Sequence, residues 1–516
     1  MRRRHVHLCL SQNSLASPDP VLSTEIMRSD TATPKINPEP VGLQRLSARV
    51  IGLTAIVFML IYAVIRVNWL PVILPDSLLY LDHSNDLIGE GLVQVGFRQF
   101  GYPLWLASVD VLAGLLDLEP LALTVILQRL LLVLSAGLAT YVLRWWATPI
   151  VAVLVLPTTI AYSNFILTEA MAVPIAVIAA VACVRLFIAR EDRAIGWLAT
   201  ASLAAAALPI IRLHYGILTV AIIATIALTA RDRSAGRRSS TIAIVGIIIS
   251  TSLLVLALSI ENKAENDIFS PSLGSERVLF WSTWEKVVPQ NSVTVAAAIP
   301  DVYLNGTPDA FILMVDESDM SFADKNAAYA SASKQIYDVT GASLNAQRFS
   351  SFLGVLGGAR FDDLASILLK AARPTAASDI ERYVNQYGTV TPVDPEDIAH
   401  RFNSDRPPSA VLTIADRIPG IPSPYVGFAL AVLVPSALLG GFYLLQFRNS
   451  RRPALVGTGT LLSYAVVSSV FLMDNLRYLL PAYLFAIVLI SGAASLRWGS
   501  RAHYSTSSST ISLPRS

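Results

Sequence analysis

What this chain can fold into is constrained first by its apolar stretches. The first, Val50 to Leu70, gives about 21 mostly apolar residues, and stretches of similar length recur until the run that ends before Arg497. At 1.5 Å of rise per residue, about 20 such residues cross the roughly 30 Å hydrocarbon core of a bilayer. The 516 residues are 53% hydrophobic and 15% charged, where a soluble domain carries about 25% charged residues. The chain therefore reads as a polytopic membrane protein.

Its charge is divided unevenly. The formal net charge is +2, yet residues 261–420 hold 21 acidic and 13 basic side chains, leaving 16 acids and 26 bases elsewhere. The basic portion is the membrane portion, as expected when Lys and Arg hold loops in the cytoplasm. Arg45 and Arg49 precede the first span, so it starts inside and delivers Pro75–Asp82 to the outside. The segment from Gly101 to Leu118 is interrupted by Asp110 and Asp117; treated as a helix at the outer interface, it leaves spans at 121–143, 147–164, 168–189, 194–211, 213–230, 240–260, 423–446, 454–472 and 478–496. Arg144, Arg190, Arg193, Arg231, Arg233, Arg237, Arg238, Arg448, Arg451, Arg452, Arg497 and Arg501 then lie inside, and only Arg66, Arg98, Arg212 and Arg477 mark the short outer loops.

The expected fold is an all-α polytopic membrane protein of about ten transmembrane helices, with interfacial helices in the first outer loop and a mostly helical extracytoplasmic domain. The expected parts are a disordered cytoplasmic tail, 1–45, with Met27 as a candidate start; a transmembrane module, 46–260, with an outer loop at 71–120; a soluble domain, 261–420; C-terminal spans, 421–497; and a cytoplasmic tail, 498–516. Within the soluble domain, Ser321–Asp338, Phe352–Ala372 and Ile380–Tyr387 carry apolar residues at helical spacing. Asn305-Gly306-Thr307 has the form of a glycan acceptor. Cys9 and Cys183 lie in a tail and an apolar helix, so neither can staple that domain.

This topology brings Asp76, Asp82, Glu169, Arg212, His214, Asp474, Arg477 and Tyr478 to one membrane face. Acids at such depth are costly unless solvated, paired or used. Asp76 is a candidate general base, and Pro75-Asp76-Ser77 is equally a helix N-terminal signal. Asp82, six residues on, falls to the solvated surface. Glu169 is the charge in a tight connection between two spans; it also suits the positive end of the helix it begins. Arg212, with His214 and Tyr215 nearby, suits a lipid phosphate, since guanidinium binds phosphate oxygens bidentately; a snorkelling helix-end residue has the same position. Arg477 and Tyr478 offer a second cation with an aromatic neighbour, or a local pair with Asp474.

The sequence has no Gly-x-x-x-x-Gly-Lys-Ser/Thr phosphate loop, no Gly-x-Ser-x-Gly elbow, no basic stripe for nucleic acid and no metal-site spacing of His, Cys and Asp.

At these residues the chain resembles the integral-membrane GT-C glycosyltransferases, in the branch of protein O-mannosyltransferase-like, aminoarabinose-transferase-like and RgtA/B/C/D-like enzymes. The resemblance runs from Val50 to about Arg212 and resumes in the final helices. It rests on Asp76-Ser77 with Tyr80, Gly101-Tyr102-Pro103, Gln128, Leu167-Thr168-Glu169, Arg212 after a Pro-containing helix end, and Arg477-Tyr478-x-x-Pro481. It implies inverting transfer of a sugar from a polyprenyl-phosphate-linked donor outside the cytoplasmic membrane. Asp76 would be the base or acceptor-orienting carboxylate, Glu169 would complete the acidic site, and Arg212 and Arg477 with Tyr478 would hold the donor phosphate. Ser77, Tyr80, Tyr102 and His214 would support them. Where many members have a second acid, this chain has Ser77, so no cofactor is firmly expected and a divalent metal is not indicated by the sequence. The partners implied are the lipid-linked donor, membrane lipids and an acceptor the sequence does not name. The other classes left open are a polytopic transporter or lipid flippase, and a catalytically inactive GT-C-like scaffold.

Overall fold

The computed structural model describes residues 72–73, 75–89, 99–154, 159, 163, 166–188, 191–230, 237–266, 268–271, 275–357, 412–413, 424–471 and 476–499. These residues are helical, save for loops, short turns and one two-residue parallel pairing of β1 (Val72–Ile73) with β2 (Leu412–Thr413). Seven helices among them are long and apolar enough to cross a membrane: Pro120–Leu154, Thr168–Ile188, Ala194–Ile211, Leu213–Ala230, Arg238–Ala264, Arg451–Val470 and Tyr478–Trp498. The run expected at 50–70 and most of the run beyond Leu154 lie outside the described residues.

In chain order the helices are α1 (Pro75–Gly89), α2 (Gly101–Leu116), α3 (Pro120–Leu143), α4 (Thr148–Leu154), α5 (Thr168–Ile188), α6 (Glu191–Ile211), α7 (Gly216–Ala230) and α8 (Arg237–Asn266). They continue with α9 (Ser275–Ala298), α10 (Pro308–Asp316), α11 (Phe322–Thr340), α12 (Leu344–Leu356), α13 (Pro424–Leu444), α14 (Arg451–Val470) and α15 (Leu476–Gly499). The long apolar stretch from Pro120 is not one straight rod. Arg144 takes φ 55°, ψ −123°, which ends α3, and a short 3₁₀ turn leads into α4. The sequence reading placed its helix break at the same arginine.

Two helices form the centre. In α15, 89% of the apolar window is buried inside the protein, and in α5 72%, against 11% for α8, which lies at the periphery. α5 packs against α3, α6, α7 and α15. Close approach depends on small residues, as is usual between helices in lipid. A Cβ on Gly492 of α15 would fall 2.5 Å from the Val184 side chain of α5, and one on Gly457 of α14 would fall 2.9 Å from Ile490.

The bundle has two chemically different ends. At one, Arg185 lies over Tyr141 and Trp197, Arg497 lies 3.9 Å from the Phe447 ring centroid, and Trp146 stacks on Trp498 at 5.2 Å. Arginines among exposed tryptophan and tyrosine rings form the belt expected at a membrane–water boundary. Glu169 lies 16 residues before Arg185 on α5, and Tyr478 lies 19 before Arg497 on α15. At the helical rise these are about 24 and 28 Å away, at the opposite end.

At that second end sit α1 and α2. α2 has 16 residues, about 24 Å of helix, and its apolar length falls below that of the seven spans. It ends at Asp117, whose left-handed φ of 59° lets its N–H bond Ala113 O. Its start is wedged against the end of α6: a Cβ on Gly101 would meet the Ile210 main chain at 2.7 Å, so only glycine permits this approach. That contact seats Tyr102. Asp82, expected on the solvated surface, is instead half-buried on α1.

Helices α9 to α12 belong to the block expected as a soluble domain, and α8 runs past the expected boundary at 260 to Asn266. α9 kinks at Asn291, just after Pro289. Phe280, Trp284, Phe311, Tyr329 and Ile336 make the separate core of α9, α10 and α11. Asp316 fastens it, accepting from Tyr329 Oη at 2.6 Å and pairing with Arg277 at 2.9 Å. Burial, reinforced by the Asp316 bond, raises the Tyr329 hydroxyl above its usual range and keeps it a donor. The run Ser321–Asp338 is helix α11, capped by Ser321. Of Phe352–Ala372, the described part ends α12, and Ile380–Tyr387 lies outside the described residues. Asn305 is exposed in a left-handed turn with φ 52°. α12 leaves this core: Val355 is buried in the bundle's own cluster, with Phe352 and Leu356 against it, and Val355 O accepts from Tyr483 Oη of α15.

Gly101→Ala is expected to lower stability by about 1–3 kcal/mol, because α2 must move off α6. Gly114→Ala, on the same helix with open space around its Cβ, is expected to be neutral or stabilising by about 0.5–1 kcal/mol. Thermal unfolding of the two purified variants checks the contrast.

Candidate functional site

The residues singled out in the sequence meet where α1, α2, α3, α5, α6, α14 and α15 come together. Glu169 occupies the first turn of α5 and is 1% exposed. Arg212 follows α6 in extended conformation, φ −156°, and its N–H is held by Leu208 O at 3.0 Å. The chain leaves α6 there and turns through Leu213–Tyr215 into α7, which aims Arg212 inward. Its Nη1 donates to Glu169 Oε1 at 2.6 Å, with both side chains largely shielded from solvent. Thr168 Oγ1 donates to the other carboxylate oxygen at 3.1 Å. The guanidinium carbon lies 4.3 Å from the Tyr478 ring centroid, a cation–π contact.

Around this pair stands an aromatic wall. Tyr80 and Tyr102 meet edge to face at 5.2 Å, each 1% exposed or less. Gln128 Nε2 donates to the Tyr102 hydroxyl at 2.7 Å. Burial holds that hydroxyl well above the usual phenol range, so it stays protonated at neutral pH; Glu169 and Tyr80 push in the same direction. His214 packs against Tyr215 at 4.2 Å, Tyr478 at 5.9 Å and Tyr464 at 6.2 Å, and Tyr464 Oη donates to Tyr478 O at 2.6 Å. Among the described residues, Gln128 Oε1, His214 Nε2 and Tyr215 Oη are buried with no hydrogen-bond partner. Buried polar atoms of this kind are unusual in a native protein and call for an explanation.

Asp76 lies in the first turn of α1, one residue before fully buried Ser77 and one turn before Tyr80. Arg477 lies in the first turn of α15, beside Tyr478. The side chains of Asp76 and Arg477 lie outside the described residues, as does Asp474. The structure thus brings together Tyr80, Tyr102, Gln128, Glu169, Arg212, His214 and Tyr478, and it pairs the carboxylate and guanidinium that the sequence left separate. Tyr464 was not anticipated: a single tyrosine inside an apolar span gives no periodic or charge signal. Among the described residues, no three His, Cys, Asp or Glu side chains form a group able to hold a metal ion.

Chemically, the cluster offers a fixed cation at the mouth of a helical bundle. Glu169 uses one side of the guanidinium and Tyr478 one face. The remaining N–H groups suit an oxyanion. Comparison with known protein families, curated proteins and solved structures finds no match for this chain.

Breaking a buried ion pair by removing one partner costs on the order of 3–5 kcal/mol, because a charge is left uncompensated. Glu169→Gln and Arg212→Met are each expected to lower the unfolding midpoint strongly. The double variant should be no less stable than the worse single one, since contacting residues are not additive. Thermal unfolding of the three purified variants measures this, and an additive loss would show that the two side chains are not coupled.

Proposed function

We propose that this protein is a membrane glycosyltransferase of the GT-C kind. It moves a sugar from a polyprenyl-phosphate-linked donor to a cell-envelope glycan, lipid or protein on the outer face of the cytoplasmic membrane. In this reading ten helices span the bilayer and both termini are cytoplasmic. The helices of the first outer loop lie at the interface, and residues 261–420 form an extracytoplasmic domain. The observation that carries the proposal is the convergence of Tyr80, Tyr102, Gln128, Glu169, Arg212 and Tyr478 on one buried ion pair. Those positions come from separate stretches of the chain, and each belongs to the pattern on which the resemblance rests.

The chemistry follows from that placement. Asp76 accepts the proton of the acceptor hydroxyl as its oxygen attacks the anomeric carbon from the face opposite the phosphate. The carbon–oxygen bond to phosphate breaks, configuration inverts, and the lipid phosphate leaves with the electron pair. Arg212 and Arg477 stabilise the negative charge that develops there. Glu169 fixes the guanidinium of Arg212 and completes the acidic site, while Tyr478 covers its face. A lipid donor carries its own leaving group and is anchored in the bilayer, so no nucleotide-binding domain is needed. The pair sits at the end of its helices, about 24 Å from the arginine belt along α5. A transporter site is more commonly placed near the middle of its spans.

Cells lacking the protein are expected to lose one envelope glycan modification and to accumulate the corresponding polyprenyl-phosphate sugar. Asp76→Asn should insert and fold normally yet reduce transfer by about 100-fold or more. Analysis of envelope glycans and lipid-linked sugars in the deletion strain, complemented with either form, makes the test. Full restoration by Asp76→Asn would remove Asp76 from the mechanism, and an unchanged envelope in the deletion strain would sink the proposal.

A further inference from the structure

A polar seam runs through the middle block, away from the Glu169–Arg212 pair, where α9, α11 and α12 meet. α9 contributes Thr283 and Lys286, α11 contributes Ser333 and Tyr337, and α12 contributes Arg348 and Ser351. Each couple is three or four residues apart and so shares one helix face. Lys286 Nζ donates to Ser351 Oγ at 2.8 Å across two helices, and Arg348 is close enough to Tyr337 to act on it electrostatically. Thr283, fully buried, donates to Leu279 O at 2.8 Å. Tyr337 Oη faces Thr283, and among the described residues two further polar atoms are buried without a hydrogen-bond partner, Ser333 Oγ and Arg348 Nε. Of the carboxylates flanking it on these helices, Glu285 accepts from Trp281 Nε1 at 2.6 Å, and Asp338 is exposed.

Two cations and several hydroxyls from three helices, with buried donor atoms still unsatisfied, make a cradle for a tetrahedral oxyanion. We propose that this seam binds a phosphate group, as free phosphate or pyrophosphate or as the headgroup of a lipid. A phosphate accepts from several directions at once and suits donors arriving from three helices. The lipid source has its own structural basis. One turn beyond Arg348 and Ser351, α12 packs into the bundle through Val355, while Phe349 and Leu353 remain 62% and 44% exposed on its outer side. The seam therefore lies beside the part of α12 that adjoins the helical bundle. The site does not depend on the glycosyltransferase reading.

The test uses the full-length protein in nanodiscs, with the thermal unfolding midpoint as readout. In phosphatidylcholine discs, inorganic pyrophosphate is titrated against sodium chloride of equal ionic strength. In a second arm, discs containing phosphatidic acid are compared with phosphatidylcholine alone. A ligand that binds the folded state raises the midpoint. Stabilisation by pyrophosphate assigns the soluble source, and stabilisation by phosphatidic acid alone assigns the headgroup. In either case Arg348→Gln and Lys286→Gln should each weaken the response about tenfold. Arg348→Lys, which keeps the charge, should retain most of it and guards against a folding artefact. Gly114→Ala, which has open space around its Cβ on a helix outside the seam, should keep the response. No response in the wild type, or an equal response in the Gln variants of the seam, overturns the proposal.

Discussion

The ion pair between Glu169 and Arg212 is the interaction on which the rest of the described structure depends. Two opposite charges at the end of a helical bundle are tolerable only when they meet, and their meeting fixes several elements together. It sets where α5 begins and where α6 ends. The Gly101–Ile210 contact, two residues before Arg212, then seats α2 and its Tyr102 beside the same pair. α15 joins by laying Tyr478 on the guanidinium, and α14 joins through the bond from Tyr464 to the Tyr478 carbonyl.

This arrangement gives the bundle its chemical polarity. One end is a belt of arginines against tryptophan, tyrosine and phenylalanine rings, which suits a boundary with lipid headgroups and water. The other end holds a desolvated cation with a carboxylate behind it and tyrosines around it. A site of the second kind favours an anionic ligand that can arrive through the bilayer. A lipid-linked phosphate meets that description with no soluble cofactor. The middle block is attached to the same bundle by α12, so the element expected as a free-standing soluble domain shares its packing with α14 and α15.

Much of the framework was legible in the sequence, because a bilayer leaves few options. Apolar length suffices to mark the seven helices between Pro120 and Trp498 that are long and apolar enough to cross a membrane, and Arg144 marked the end of α3. The ingredients of the site were legible too, since a Glu or an Arg at this depth carries a cost that must be met. Their pairing was not. Glu169 and Arg212 are 43 residues apart, and nothing local says which arginine approaches which acid. Tyr464 sits in an apolar run where a tyrosine looks like any other filler. The docking of α12 was hidden for a related reason: its helical spacing announces an amphipathic helix but not whether its apolar face meets its own domain or the spanning bundle.

The central claim is that Arg212, held by Glu169 and covered by Tyr478, receives the phosphate of a polyprenyl lipid. Native mass spectrometry of the protein in nanodiscs, titrated with a polyprenyl monophosphate or with the matching polyprenol, tests it most directly. The account predicts that the wild type retains the phosphorylated lipid in preference to the alcohol, and that Arg212→Lys, which keeps a charge facing Glu169 but lacks the guanidinium fork, binds it about tenfold more weakly while remaining folded. Equal retention of the two lipids by the wild type, or undiminished binding by Arg212→Lys, would contradict it.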